Sequence, residues 1–252
     1  MAGKPIPARL AARLFFVPVL VNGQGPFQFV LDTGASETVI TPGVARKIGL
    51  KTTPQSTGQD IARVATFALG SAVAKDFRVR VFDPVAARPL RLDFGLDYHG
   101  LAGATFLENF VVRVDYLHTN VCLLARDAHP ANTNDVTITR IENLIRVPVM
   151  VNNRGPFNFL LDTGAAETLV FPGTASRAGL VAPGGAQPAG RIPVPSFRIG
   201  ACEAKNVLAI VDTQADPRVS QTYDGILGYS FLSRFCVTID YPHSRLHLDA
   251  AP

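Results

Sequence analysis

Two aspartates, Asp32 and Asp162, are the residues of this sequence whose pattern most directly indicates chemistry. Each opens an Asp-Thr-Gly tripeptide, follows an apolar run (FQFVL or FNFLL) and precedes an alanine, with Glu-Thr one residue further on. Two carboxyl groups about 3 Å apart do not both ionise easily, so such a pair holds one proton between them. The ionised member could then deprotonate a water while the protonated member hydrogen-bonds the carbonyl group under attack. This chemistry requires no metal ion, no cofactor and no covalent intermediate.

A single Asp-Thr-Gly would be weak support, because Asp and Gly are common in turns. Here the motif belongs to an internal duplication. Residues 17–50 match residues 147–180 at an offset of 130 (32 to 162), and residues 98–116 match residues 223–241 at an offset of 125 (98 to 223). Repeats of this length predict two lobes related by a pseudo-twofold axis, at which equivalent residues meet.

The polar, turn-rich stretch 126–140 has no counterpart elsewhere and is typical of a connector. The expected organisation is therefore a first lobe over residues 1–128, a linker over 129–140 and a second lobe over 141–252.

Apolar alternation and turn residues predict a mostly β fold. In the first half, strands are expected at residues 15–21, 26–31, 37–40, 61–69, 73–82 and 110–115, and short helices at 42–49 and 103–109. In the second half, the Gly- and Pro-rich segment Val181 to Pro195 is expected to form a mobile loop or hairpin rather than a buried strand.

These motifs resemble the aspartic peptidase superfamily, and the alanine after each Asp-Thr-Gly is more similar to its retropepsin branch than to its pepsin branch. The late elements Leu101-Ala102-Gly103 and Ile226-Leu227-Gly228 strengthen the resemblance, which covers nearly all of both halves. It implies two β-barrel lobes with an active-site cleft between them, as in a retropepsin dimer fused into one chain. It also implies a monomeric endopeptidase that hydrolyses protein or peptide substrates with Asp32 and Asp162 as catalytic residues.

The resemblance further implies roles for the residues beside the two aspartates. Thr33 and Thr163 would donate hydrogen bonds across the axis into the opposite loop. Gly34 and Gly164 would let the two backbones approach closely. Pepsin-like enzymes carry a hydroxyl residue directly after the glycine, whereas this chain has alanine in both copies, so we expect an activity optimum closer to neutral pH than pepsin's.

The sequence departs from the family in two respects. Retropepsins commonly form an ion pair near the dimer interface from an acidic residue two places after the glycine and an arginine after the late glycine. This chain has Ser36 and Ala166 at the first place and Ala104 and Tyr229 at the second, so the contact between lobes there is expected to be different or apolar. Neither flap segment, residues 57–61 or 184–191, carries the tyrosine of pepsin-like flaps, and the substrate-binding residues are not indicated.

The same residues are compatible with other functions. A catalytically silent peptide-binding module and a purely structural β protein are the competing functions. A serine nucleophile at Ser36 is disfavoured because the matching residue is Ala166 and no histidine is duplicated near either motif. His243 and His247 have a metal-like spacing, but a turn followed by a strand would point them in different directions, so no zinc site is expected.

Several repeated polar residues complete the candidates. Glu37 and Glu167 could bind substrate or hydrogen-bond near the loop, and the pattern does not decide between them. A structural role in turns is favoured for Asp115 and Asp240. Core packing or a hydrogen bond to the loop is favoured for Tyr98 and Tyr223.

Composition excludes other classes of protein. The formal charge of +4 is small and its basic residues are scattered, so no nucleic-acid partner is expected. The apolar runs are shorter than the roughly 18 residues needed to cross a bilayer, and the run at Leu14 to Val21 recurs inside the chain at Leu144 to Val151. The three cysteines have neither metal-type spacing nor counterparts between halves, so no disulfide framework is expected. The sequence indicates no cellular compartment.

Overall fold

The structure is a computed structural model that describes residues 4–83, 98–128, 135–182, 185, 188 and 190–250. Its elements in the first half are β1 (Ile6–Pro7), β2 (Arg9–Ala11), β3 (Leu14–Val21), β4 (Gln24–Leu31), β5 (Val39–Ile40), α1 (Pro42–Lys47), β6 (Asp60–Leu69), β7 (Ala72–Val81), β8 (Gly100–Ala102), α2 (Ala104–Leu107), β9 (Val111–Asp115) and β10 (Asn120–Leu124). Those in the second half are β11 (Val136–Thr137), β12 (Thr139–Ile141), β13 (Leu144–Val151), β14 (Arg154–Leu161), β15 (Thr168–Val170), α3 (Pro172–Arg177), β16 (Arg191–Ile199), β17 (Cys202–Val211), α4 (Pro217–Ser220), β18 (Gly225–Leu227), α5 (Tyr229–Leu232), β19 (Phe235–Asp240) and β20 (Arg245–Ala250).

Each half builds one seven-stranded sheet that closes on itself. The first has the order β2-β3-β4-β8-β5-β7-β6, and β3 also pairs with β6, so six strands form a closed barrel with β2 attached at its side. The second half repeats this arrangement as β12-β13-β14-β18-β15-β17-β16, closed by pairing of β13 with β16. Closure removes the open edges that a flat sheet would expose. The mostly β class and the two-barrel architecture expected from the sequence are confirmed.

A third sheet joins the two halves. Its six strands run in the order β1-β10-β9-β19-β20-β11, three from each half, and the central pair β9 and β19 is antiparallel. In that pair Arg113 lies opposite Thr238. These two residues are equivalent positions of the late repeat, offset by 125, so the pseudo-twofold axis passes between them.

The barrel cores are packed by equivalent aromatic side chains. In the first half the ring of Phe67 contacts those of Phe29 and Phe106, with centroids 5.4 and 4.9 Å apart. The counterparts Phe159, Phe197 and Phe231 pack in the same way, with centroids 5.9 Å apart in both contacts. All six side chains are fully buried, so each repeat carries its own apolar core.

Most element predictions for the first half are confirmed to within two residues, and Thr41 caps α1 by accepting a hydrogen bond from the Val44 amide at 3.5 Å. Residues 181–195 were expected to form a mobile loop or a hairpin rather than a buried strand. Arg191–Pro195 form the start of β16, which makes a hairpin with β17 and is mostly not buried over these five residues. The residues before it lie partly outside the described part of the chain.

Part of the expected linker is also regular. Residues 136–140 carry β11 and the start of β12. Both strands stand 130 residues after β1 and β2, so the structural repeat extends further back than the sequence match. Within the described residues, no helix is long and apolar enough to cross a bilayer.

Candidate active site

The two aspartates follow directly on equivalent strands. Asp32 comes after β4 and Asp162 after β14, and each strand runs parallel to a short strand of the late repeat, β8 or β18. The backbone N–H groups of the two aspartates donate to the carbonyl oxygens of Ala102 and Leu227, both at 3.1 Å. The late apolar-x-Gly elements therefore fix where each loop begins.

The threonines lock the two loops together across the axis. The Thr33 hydroxyl donates to the Leu161 carbonyl oxygen at 2.8 Å and accepts from the Thr163 amide at 3.0 Å. Thr163 does the same in reverse, donating to the Leu31 carbonyl oxygen at 2.7 Å and accepting from the Thr33 amide at 3.1 Å. Both side chains are buried, so these four hydrogen bonds are shielded from competing water.

The two carboxyl groups face each other's loop at close range. A Cβ atom placed on Gly164 would lie 2.5 Å from the Asp32 carboxyl carbon, and one on Gly34 would overlap the Asp162 carboxyl group as well. Each glycine also donates its backbone N–H to the aspartate of its own loop, at 2.9 Å for Gly34 and 2.8 Å for Gly164. Asp32 and Asp162 are only 3% and 7% exposed. Two acids are thus buried side by side at the axis.

Two tyrosines lie close beneath this pair and were not singled out from the sequence. Tyr116 and Tyr241 are equivalent, buried, and directly follow β9 and β19. Burial raises the pKa of both hydroxyls, and the nearby charge of Asp162 raises that of Tyr116 further, as Asp32 does for Tyr241. The only signal in the sequence was the repeated Asp-Tyr at the end of the late repeat.

The two equivalent glutamates, Glu37 and Glu167, whose role the sequence left open, are held by arginines. Glu37 pairs with Arg80 at 2.5 Å and with Arg78 at 2.6 Å. Burial would raise the pKa of Glu37, but the hydrogen bonds and charges of the two arginines outweigh it and lower the pKa below the ordinary value of 4.5. Glu37 is thereby tied to β7 of its own barrel.

The equivalent Glu167 connects the two lobes. It pairs with Arg191 at 2.6 Å and with Arg13, which lies on the turn between β2 and β3 of the other half. The Arg13 guanidinium also lies 6.0 Å from the ring centre of Tyr229. The contact between the lobes near Tyr229 was expected to be apolar or to differ from the retropepsin ion pair. It is an ion pair made by different residues, Arg13 and Glu167. A second ion pair between the halves joins Arg140 to Glu108 at 2.8 Å.

The other polar candidates, Asp115, His243 and His247, make local contacts within turns and strands. Asp115 accepts from the Leu117 and His118 amides at 3.1 and 3.0 Å, which confirms its predicted place in a turn. His243 contacts Asp240, and His247 contacts Asp249, so the two histidines have different partners. Among the described residues no cluster of three or more potential metal ligands occurs.

A cavity of about 720 Å³ opens between the lobes beside the dyad. Gly34, Ala35 and Ser36 line it from the first half, and Leu144 and Tyr223 from the second. Of the two predicted flap segments, residues 57–61 contribute Gln59 to the wall of this cavity, while much of 184–191 lies outside the described residues. Space for a substrate thus adjoins the paired acids.

Comparison with known proteins agrees with this geometry. The family model described as Aspartyl protease matches twice, at residues 17–98 and 147–231, which together make up more than half of the chain. The chain therefore belongs to the aspartyl protease family. No curated protein matches the sequence significantly.

Solved structures show the same fold over the whole chain. An aspartic proteinase from Irpex lacteus superposes with a TM-score of 0.63 at 16% identity, covering 99% of this chain and 98% of that one. Basic 7S globulin from soybean superposes with a TM-score of 0.60 at 10% identity, covering 98% and 94%. A retropepsin-like aspartic protease from Rickettsia conorii matches 48% of this chain and 90% of its own at 24% identity, with a TM-score of 0.37. Because these names include both a proteinase and a globulin, fold alone does not establish activity.

Proposed function

We propose that this protein is an aspartic endopeptidase in which Asp32 and Asp162 act as one dyad. The observation that carries the proposal is their approach: a side chain on the glycine of either loop would overlap the carboxyl group of the other aspartate. Acids this close share a proton, so one member is a base and the other an acid at the same pH.

In the proposed mechanism, a water between the two carboxyl groups is deprotonated by the ionised member. The protonated member hydrogen-bonds the scissile carbonyl oxygen and stabilises the negative charge that develops there. The proton taken from water is then available for the departing amine. Asp32 and Asp162 are themselves buried, and the lower dielectric of a buried site strengthens the coupling between the two acids.

The neighbouring residues would act as positioning groups. Thr33 and Thr163 hold the loops in register through their four crossed hydrogen bonds, and Gly34 and Gly164 leave the room that the carboxyl groups occupy. We further propose a monomer of two lobes, residues 1–128 and 141–252, joined by a linker at 129–140. A protein or peptide substrate would lie extended between them.

The test compares cleavage of an unfolded protein by the wild type, Asp32→Asn and Asp162→Asn. Each substitution removes one titrating oxygen while keeping the side-chain shape, so kcat/KM should fall at least about 10²-fold. A statine-type transition-state mimic should inhibit the wild type. Asp127→Asn, an exposed aspartate outside the cavity, is the matched control and should cut normally.

Equal cutting by wild type and Asp32→Asn would rule out the dyad mechanism. A wild type that binds peptides without cutting them would instead support the silent binding module.

A further inference from the structure

The cavity beside the dyad is lined by both polar and apolar side chains. Val39, Phe82 and Leu101 line it from the first half, and Leu144 and Val219 line it from the second. These side chains suit the methylene groups of a long substrate side chain, since burying each methylene is worth about 0.8 kcal/mol. The polar groups of the lining then determine which terminal group of that side chain, charged or neutral, binds best.

One charged group in the lining is left without a counter-ion. Glu37 and Arg80 pair with each other, as do Asp216 and Arg218 at 2.7 Å. Glu142, the fifth charged side chain of the lining, forms no ion pair with any described residue. The cavity therefore presents one uncompensated negative charge.

A second group points to the same kind of ligand. Tyr223 is only 6% exposed, and its hydroxyl has no hydrogen-bond partner among the described residues. Burial raises the pKa of this hydroxyl, the charge of Arg146 lowers it and the charge of Glu142 raises it. Arg146 does not line the cavity, and its side chain donates to the Thr139 hydroxyl at 3.0 Å.

We propose, on the basis of the proposed function, that this cavity receives a lysine or arginine side chain of the substrate and that Glu142 determines this specificity. The apolar walls hold the methylenes, while the Glu142 carboxylate and the Tyr223 hydroxyl oxygen accept hydrogen bonds from the cationic end. The equivalent position in the other half is Ala12, so the acid stands on one side of the axis only.

Binding to the Asp32→Asn protein tests this without requiring turnover. A fluorescent octapeptide is made in matched versions that carry lysine or norleucine at each position in turn, so that only the charged end group differs. Fluorescence anisotropy then gives the ratio of the two dissociation constants at each position. We expect lysine to bind about two- to fivefold more tightly than norleucine at one position or two adjacent ones, which is the range for a charge pair with an exposed carboxylate such as Glu142.

In Asp32→Asn/Glu142→Gln that ratio should fall to about one. In Asp32→Asn/Glu142→Lys, lysine should bind more weakly than norleucine at the same position, and a third peptide with glutamate there should bind more tightly than norleucine. Glutamine keeps the shape of the side chain on its turn, so the comparison isolates the charge. Adding Tyr223→Phe should lower the ratio about twofold. Asp32→Asn/Asp127→Asn changes the net charge equally outside the cavity and should keep the full preference.

The proposal is overturned if no position favours lysine, or if the preference survives Glu142→Gln or disappears equally in the Asp127→Asn control. Failure of the wild type to cleave any peptide would count against the proposed function alone, because these binding ratios do not depend on cleavage.

Discussion

Replacing Gly164 by alanine tests how closely the two loops approach. The new Cβ would stand 2.5 Å from the Asp32 carboxyl carbon, whereas carbon atoms in contact normally lie about 3.5 to 4.0 Å apart. The loop and the opposite carboxyl group must therefore separate by at least about 1 Å. A displacement of about 1 Å in a catalytic arrangement costs on the order of 10²-fold in rate, so kcat/KM should fall by at least that factor. Overpacking should also lower the free energy of unfolding by about 1–3 kcal/mol.

Gly173→Ala is the matched control for this substitution. Neither glycine has a positive φ angle, so the backbone conformation of both positions suits alanine. The two positions differ in space: a Cβ on Gly164 would overlap the Asp32 carboxyl group, whereas a Cβ on Gly173 would meet no atom within 4 Å. Because Gly173 lies in α3, alanine there should raise the free energy of unfolding by about 0.5–1 kcal/mol and leave kcat/KM unchanged.

Both variants are assayed on a fluorogenic peptide, at a temperature where circular dichroism shows them folded, and by urea unfolding. A folded Gly164→Ala protein with kcat/KM within about twofold of wild type would refute the close approach of the two acids.

Three further predictions concern the surroundings of the dyad. Thr33→Val keeps the side-chain shape but leaves the Leu161 carbonyl oxygen unpaired in a buried loop, so urea unfolding should show a loss of about 1–3 kcal/mol together with reduced activity. Glu37 has a lowered pKa, so it stabilises the fold above pH 4.5 and this contribution is lost as pH falls through the lowered value. Glu37→Gln should therefore reduce the melting temperature at pH 7, and its difference from the wild type should shrink progressively as the pH is lowered below 4.5. Since Ala35 and Ala165 offer no hydroxyl to the dyad, the pH–rate profile should peak closer to neutral than pepsin's, and a maximum near about pH 2 would contradict this.

The duplication made the architecture predictable from sequence. Asp32 and Asp162 have matching flanks, and a pseudo-twofold axis brings matching positions together, so their meeting followed from the repeat alone. The crossed threonine contacts were expected from the resemblance to aspartic peptidases rather than from the repeat itself, and the structure contains them.

Other features depend on contacts that no local pattern records. The two-residue strands β1 and β11 exist because β10 and β20 offer them an edge, so their own residues carry no periodic signal. In β16, Pro193 and Pro195 suggested a loop or a hairpin, but Pro193 pairs with Leu208 of β17, and β13 pairs only with Phe197 and Arg198 further along. Proline is tolerated on such an unpaired edge.

The ionic contact between the lobes was equally inaccessible. Arg13 has Asn143 as its counterpart, so the repeat gave no reason to single out this arginine. Its pairing with Glu167 depends on where a hairpin turn of one barrel meets a loop of the other, which only the three-dimensional arrangement specifies.

The difference between the two ends of the cleft has an evolutionary consequence. In a homodimer encoded by one gene, every substitution is made on both sides of the axis at once, so the two ends must change together. A fused chain is free of that constraint: it can keep an arginine clamp at Arg13 while placing an acid at Glu142 on the opposite side. Successive residues of an asymmetric peptide can then be selected independently, although the machinery between them stays symmetric.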